Sequence, residues 1–160
     1  MDTIDFAAEN NPVRLIINEE NIVMYHNVTG EIFFQVGDDY FPEWAWNDFP
    51  VCILEMWVNT FISAIRYRED NFMFYFMDGP FHVELMQKEN KMYTLYFMKR
   101  YIGDDKDVIM AADNISQMEI RDMLLKACRR ALRVLTLARI PDSAMVRLRK
   151  MFEELKRCGI

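Results

Sequence analysis

The stretch Phe72-Met73-Phe74-Tyr75-Phe76-Met77-Asp78-Gly79-Pro80-Phe81-His82-Val83-Glu84-Leu85-Met86 decides how this chain folds. Two runs rich in aromatic and apolar residues flank Asp78-Gly79-Pro80, a turn sequence, so the segment reads as an antiparallel hairpin. In the first run Phe72, Phe74 and Phe76 face one way and Met73, Tyr75 and Met77 the other. Neither face looks solvated, and a central strand covered on both sides is expected. Further strands at 92–98 and 108–111, joined through Glu89-Asn90-Lys91 and Gly103-Asp104-Asp105-Lys106, extend the hairpin to a meander.

Upstream, residues 13–17, 22–25 and 31–36 are β-branched and aromatic, and polar turns separate them. They predict a first antiparallel meander. Residues 1–11 are polar and acidic and read as a loosely held leader. The segment from Asp38 to Pro50 mixes acids, aromatics and prolines and reads as a loop. Asp48 is placed to cap the following helix, with Pro50 in its first turn, where a missing amide hydrogen costs nothing. That helix, to about Arg66, carries Leu54, Trp57, Val58, Phe61 and Ile65 at three- and four-residue spacing. The last fifty residues are helical. Ser116 and Glu119 have capping-box spacing, an apolar stripe of Ile120, Leu124, Ala127, Ala131, Leu135 and Ala138 runs on to Pro141, and Asp142 or Ser143 caps a final helix. The fold expected is α+β, one domain over residues 1–160, with an antiparallel sheet of about seven strands in the order βββ-α-ββββ-αα.

Of the 160 residues, 25 are Asp or Glu and 19 Lys or Arg, for a net charge of -6. With 52% hydrophobic and 14% aromatic residues the chain is no disordered tail, and its acidic balance argues against a general nucleic-acid binder. The N-terminus has no secretory pattern, and the most apolar stretch, 49–65, is too polar to span a membrane. A cytoplasmic protein without membrane association is expected. Cys52, Cys128 and Cys158 lie far apart and read as reduced thiols. Neither they nor His26 and His82 have the paired spacing of a zinc site, so no metal or other cofactor is expected.

Catalytic patterns are equally sparse. Ser63, Ser116 and Ser143 all have helical explanations, and no phosphate-binding glycine loop or dinucleotide fingerprint occurs. His82 and Glu84 share one strand face and could form an acid–base pair, but a partly exposed strand histidine beside a carboxylate is the plainer account. Asp38-Asp39 and Asp104-Asp105 are adjacent loop acids of an ordinary kind.

Charge distribution says more. Residues 1–60 hold eleven acids and one base, Arg14, for -10; residues 61–110 hold eight acids and seven bases, for -1; residues 111–160 hold six acids and eleven bases, for +5. Basic residues on two terminal helices read as solvent faces. The acidic end is concentrated at Asp38, Asp39, Glu43 and Asp48, with Tyr40, Trp44 and Trp46 among them. Aromatic anchors among carboxylates can bind a basic protein surface, the rings supplying affinity and the acids steering association. In the competing account both tryptophans fold back onto the core and the acids only solubilise the loop.

The run Tyr40-Phe41-Pro42-Glu43-Trp44-Ala45-Trp46-Asn47-Asp48-Phe49-Pro50, followed by Phe76-Met77-Asp78-Gly79-Pro80-Phe81 in a hairpin, resembles small acidic immunity proteins of bacterial polymorphic toxin systems over about residues 31–86. The resemblance implies a protein that acts by binding and occluding a toxin, often a nuclease with a basic cleft, and it implies no catalytic residues. Two further expectations stand beside this one. Apolar strand faces and 13 methionines suit a homodimer or a subunit of a larger assembly, and an enzyme would have His82 and Glu84 as its only centre.

Overall fold

The computed structural model describes residues 9–24, 27–103, 105–138 and 143–159. Its first sheet is organised by β3 (Val28–Val36), which directs Ile32, Phe34 and Val36 into the core. β1 (Val13–Ile17) pairs antiparallel with it, placing Leu15 opposite Phe34 and Ile17 opposite Ile32. β2 (Val23–Met24) also pairs with β3 instead of β1, so the consecutive meander expected here is re-ordered around β3. The cause lies in the intervening polar residues. Glu19–Asn21 form a short 3-10 helix, and the Asn18 and Asn21 amides both donate to the Glu31 carboxylate, which carries the chain along β3 rather than back on β1.

The segment 38–50 is more than a loop. Phe41 reaches the core opposite Phe34 and forms β4 (Asp39–Phe41), and β5 (Asn47–Asp48) pairs with Gly30 and Glu31. α1 (Pro50–Arg66) follows, with Pro50 as its first residue. Its N-cap is Phe49, without a side-chain cap, because the Asp48 carboxylate expected there is engaged elsewhere.

The second sheet is the expected meander, β6 (Asn71–Tyr75), β7 (Phe81–Glu89), β8 (Met92–Arg100) and β9 (Lys106–Ser116) in that order. β6 is nevertheless an edge strand and not a central one: Phe72, Phe74 and Phe76 are buried, but Tyr75 and Met77 are exposed. Coverage on both faces falls instead to the middle of β7, where Val83 and Leu85 face the core and His82 and Glu84 are buried opposite, and to β8, where Tyr93, Leu95 and Phe97 join the main core while Tyr96 and Met98 are buried on the other side with Ala111. The class is therefore α+β with antiparallel pairing, as expected, but the strands divide into sheets of five and four instead of one of about seven.

The two sheets meet through aromatic rings. Phe97 lies edge-on to Phe34 at 5.5 Å and to Phe41 at 5.2 Å between ring centroids. Trp57 of α1 stacks on Phe34 at 5.5 Å and on Phe74 at 5.0 Å, and its indole N–H donates to the Tyr75 carbonyl at 2.8 Å. α2 (Gln117–Leu137) begins at Ser116, whose hydroxyl accepts from the Glu119 amide at 3.0 Å, and buries Ile120, Leu124, Ala127, Ala131 and Leu135. It stops at Leu137, leaving Ala138 exposed; Pro141 and Asp142 lie outside the described residues. α3 (Ser143–Arg157) buries Leu148 and Leu155, with Met145 and Phe152 partly buried beside them. One connected set of buried apolar side chains runs from Leu15 to Leu155.

Because Trp57 touches both sheets and satisfies a backbone carbonyl, Trp57→Ala is expected to lower stability by about 3–5 kcal/mol, measured by urea unfolding.

Candidate functional site

β4 and the segment after it present the acids and aromatics together. Gln35 pairs with Tyr40 across β3 and β4, which sets Tyr40 beside Phe33 on the face of the sheet away from the core. Trp44 closes this group: its ring lies edge-on to Tyr40 at 4.9 Å and to Phe33 at 5.4 Å, and Tyr40 meets Phe33 at 5.9 Å. Phe33 is thereby buried, whereas Trp44 remains 64% exposed. Asp38, Asp39 and Glu43 are exposed along the same short segment. None of the three makes a side-chain hydrogen bond or ion pair among the described residues. An exposed indole on an aromatic base, with unpaired carboxylates around it, is suited to a cationic, partly apolar counterpart.

Trp46 and Asp48 do not belong to this surface, and the sequence expectation is corrected for both. Asp48 is 1% exposed. One of its oxygens accepts from the Phe49 amide at 2.8 Å and the other from the Trp46 indole N–H at 3.1 Å, and both lie near the Asp78 amide, at 3.2 and 3.0 Å. Trp46 is drawn inward with it and packs edge-on to Phe81 at 5.3 Å. A Cβ added at Gly79, whose φ is +69°, would come within 3.1 Å of the same indole. The acid therefore ties β5 to the β6–β7 turn. One tryptophan faces outward and one folds back. The sequence signal for Asp48 is its position against Phe49 and Pro50, at the entry to an apolar helix.

Two other acids from the first sixty residues pair with the basic end. Glu19 pairs with Arg133 at 3.5 Å and Glu55 with Arg147 at 3.3 Å, both partly exposed contacts of small energetic weight. These pairings leave Asp38, Asp39 and Glu43 as the unpaired acids beside the exposed tryptophan.

His82 is 1% exposed, not a partly exposed strand residue. Its Nε2 lies 3.2 Å from Glu84 Oε1, which also accepts from Lys106 Nζ at 2.9 Å. Tyr75 stacks on the imidazole at 5.2 Å, and the Arg100 guanidinium lies over Tyr75 at 4.8 Å. His82 Nδ1 is buried without a hydrogen-bond partner. The hydrogen bond from His82, followed by the Lys106 contact, holds the Glu84 carboxyl below its ordinary value against the opposing effect of burial. Sequestered like this, the pair organises the sheet face and presents neither ring nitrogen to solvent. His26 and Asp104 lie outside the described residues.

Cys52 is exposed, Cys158 partly buried and Cys128 buried, with burial pushing the Cys128 thiol up to about 12. Among the described residues no group of His, Cys, Asp and Glu is arranged to hold a metal, and no helix is long and apolar enough to cross a membrane. Comparison with protein-family models, curated proteins and solved structures finds no match to this chain.

Two outcomes are expected. Removing the Asp48 carboxylate strands the Asp78 amide and the Trp46 indole, so Asp48→Ala should cost about 2–3 kcal/mol in chemical denaturation. Glu84 is depressed in the folded state, so its stabilising contribution is complete above the ordinary glutamate value of 4.5 and is lost as pH falls through the lower folded value. Between neutral pH and about pH 3 the wild type should lose more stability than Glu84→Gln, as followed by the midpoint of thermal unfolding.

Proposed function

We propose that this is a non-enzymatic binding protein of the immunity or inhibitor type, which neutralises a toxin by docking a basic surface against Trp44, Tyr40, Asp38, Asp39 and Glu43. The observation that carries the reading is Trp44: a large ring kept 64% exposed on an aromatic base, beside three carboxylates with no partner among the described residues. Burying such a ring supplies affinity, and the carboxylates, standing in for phosphates, raise the association rate of a cationic partner. Trp46 and Asp48 support the surface from behind by holding the segment against the β6–β7 turn.

Capture of the partner from the native host, followed by binding kinetics, tests the reading. The association rate should fall steeply with added salt. Reversing Asp38, Asp39 and Glu43 together to lysine should weaken binding more than about tenfold. Trp44→Ala should cost about 2 kcal/mol or more of affinity. The triple variant should not change folding stability by more than about 0.5 kcal/mol, since its positions are exposed, whereas Trp44→Ala also uncovers Phe33 and should cost about 1 kcal/mol or more. Wild-type affinity in the triple variant would overturn the assignment of this surface.

A further inference from the structure

Several rings outside the first sheet carry a cation from the chain itself. Arg100 lies over Tyr75, Lys99 over Tyr101, Lys88 over Tyr96, and both Lys156 and Arg129 over Phe152, between 4.8 and 5.7 Å from the ring centroids. Trp44 carries none. Indole attracts a cation more strongly than the other side-chain rings, yet among the described residues no Lys or Arg stands over this one, and its contacts with Tyr40 and Phe33 are both edge-on, so no ring stacks on it. Its N–H also lacks a partner there, whereas those of Trp46 and Trp57 donate to Asp48 and to the Tyr75 carbonyl.

The open ring is held out by the fold and does not sit at a loose tip. On one side Phe41 is buried in the core; on the other the Trp46 carbonyl accepts from the Ile32 amide at 2.9 Å, and the Trp46 indole is tied to Asp48. Between the two tryptophans Ala45 is left-handed, with φ 59°, a conformation in which a Cβ is strained. It turns Trp44 out as Trp46 turns in. The first sixty residues hold one base, Arg14, which lies opposite Gln35 and is separated from Tyr40 by β3; it makes no ion pair or ring contact. The place over the indole is therefore open to a cation from another molecule.

Exposed carboxylates in water attract an ammonium and a guanidinium group almost equally, and weakly. The ring separates the two, because a cation must shed part of its hydration to lie on indole. Guanidinium is flat and weakly hydrated, and with its plane on the ring its N–H groups stay free at the rim to pair with a carboxylate through two parallel bonds; ammonium is compact and strongly hydrated. We propose, on the footing of the binding role given to this surface above, that Trp44 receives an arginine side chain of the partner. The guanidinium stacks on the indole and pairs with one or more of Asp38, Asp39 and Glu43.

Acetylated, amidated tri-arginine and tri-lysine carry equal charge, and their titration into the full chain at low salt, followed by two-dimensional NMR, tests the proposal. The chain has three tryptophans, so the indole N–H signals supply their own controls. That of Trp44 should shift saturably, while those of Trp46 and Trp57, already bonded inside the protein, should not. Tri-arginine should bind with a Kd of about 10 mM or below and about threefold or more tighter than tri-lysine. In Trp44→Leu, which keeps an apolar cover on Phe33, binding followed at the Glu43 backbone amide should be alike for the two peptides, with tri-arginine weakened about threefold. Equal affinity of the peptides for the wild type, a preference that survives in Trp44→Leu, or no saturable shift of Trp44 with tri-arginine would overturn the proposal. Equal affinity would still leave a surface that binds cations in general; failure of the binding role itself is read separately, from wild-type partner affinity after reversal of Asp38, Asp39 and Glu43.

Discussion

The carboxylate of Asp48 governs the arrangement around the candidate surface. It is buried with a backbone amide on each side of a long sequence gap, those of Phe49 and Asp78, and with the indole of Trp46. A charge in that position is tolerated only when its oxygens are occupied, and here the donors come from both sheets. Satisfying it brings the entry to α1 against the β6–β7 turn and turns Trp46 inward. The chain between β4 and Trp46 is then short, and Trp44 is left outside on Tyr40 and Phe33.

The same junction is filled by aromatic rings. Phe34, Phe41, Trp57, Phe74, Phe76 and Phe97 contact one another edge-on or stacked, so the space between two sheets and a helix is closed by large side chains with few rotatable bonds. Such rings hold the sheets in one relative position, and Trp57 adds a directional bond to the Tyr75 carbonyl. The surface around Trp44 thus stands on a rigid base.

Electrostatics follow from how the ends of the chain meet. Acids and bases segregate along the sequence, but Glu19 and Glu55 find Arg133 and Arg147 across the fold, and Glu84 takes Lys106 and His82. Each of these carboxylates is used in holding elements together. Asp38, Asp39 and Glu43 have no such partner among the described residues.

Much of this was legible in the residues. Alternation and turn chemistry located β1, the second meander and all three helices, since these signals depend on neighbours a few positions apart. The same local signals could not show that β6 lies at an edge, that Phe41 draws β4 into pairing with β3, or that the strands divide into two sheets. Those outcomes depend on which apolar face finds which partner. The acidic aromatic segment was visible as a cluster, yet its separation into an exposed half at Trp44 and a buried half at Trp46 and Asp48 was not, because the Asp78 amide that divides it is distant in sequence. The α+β class, the helices and the places where charge and aromatic residues concentrate follow from signals a few residues long. Which carboxylates are engaged inside the protein and which stay exposed follows from the fold, because hydrogen bonds and ion pairs form between groups that folding brings together.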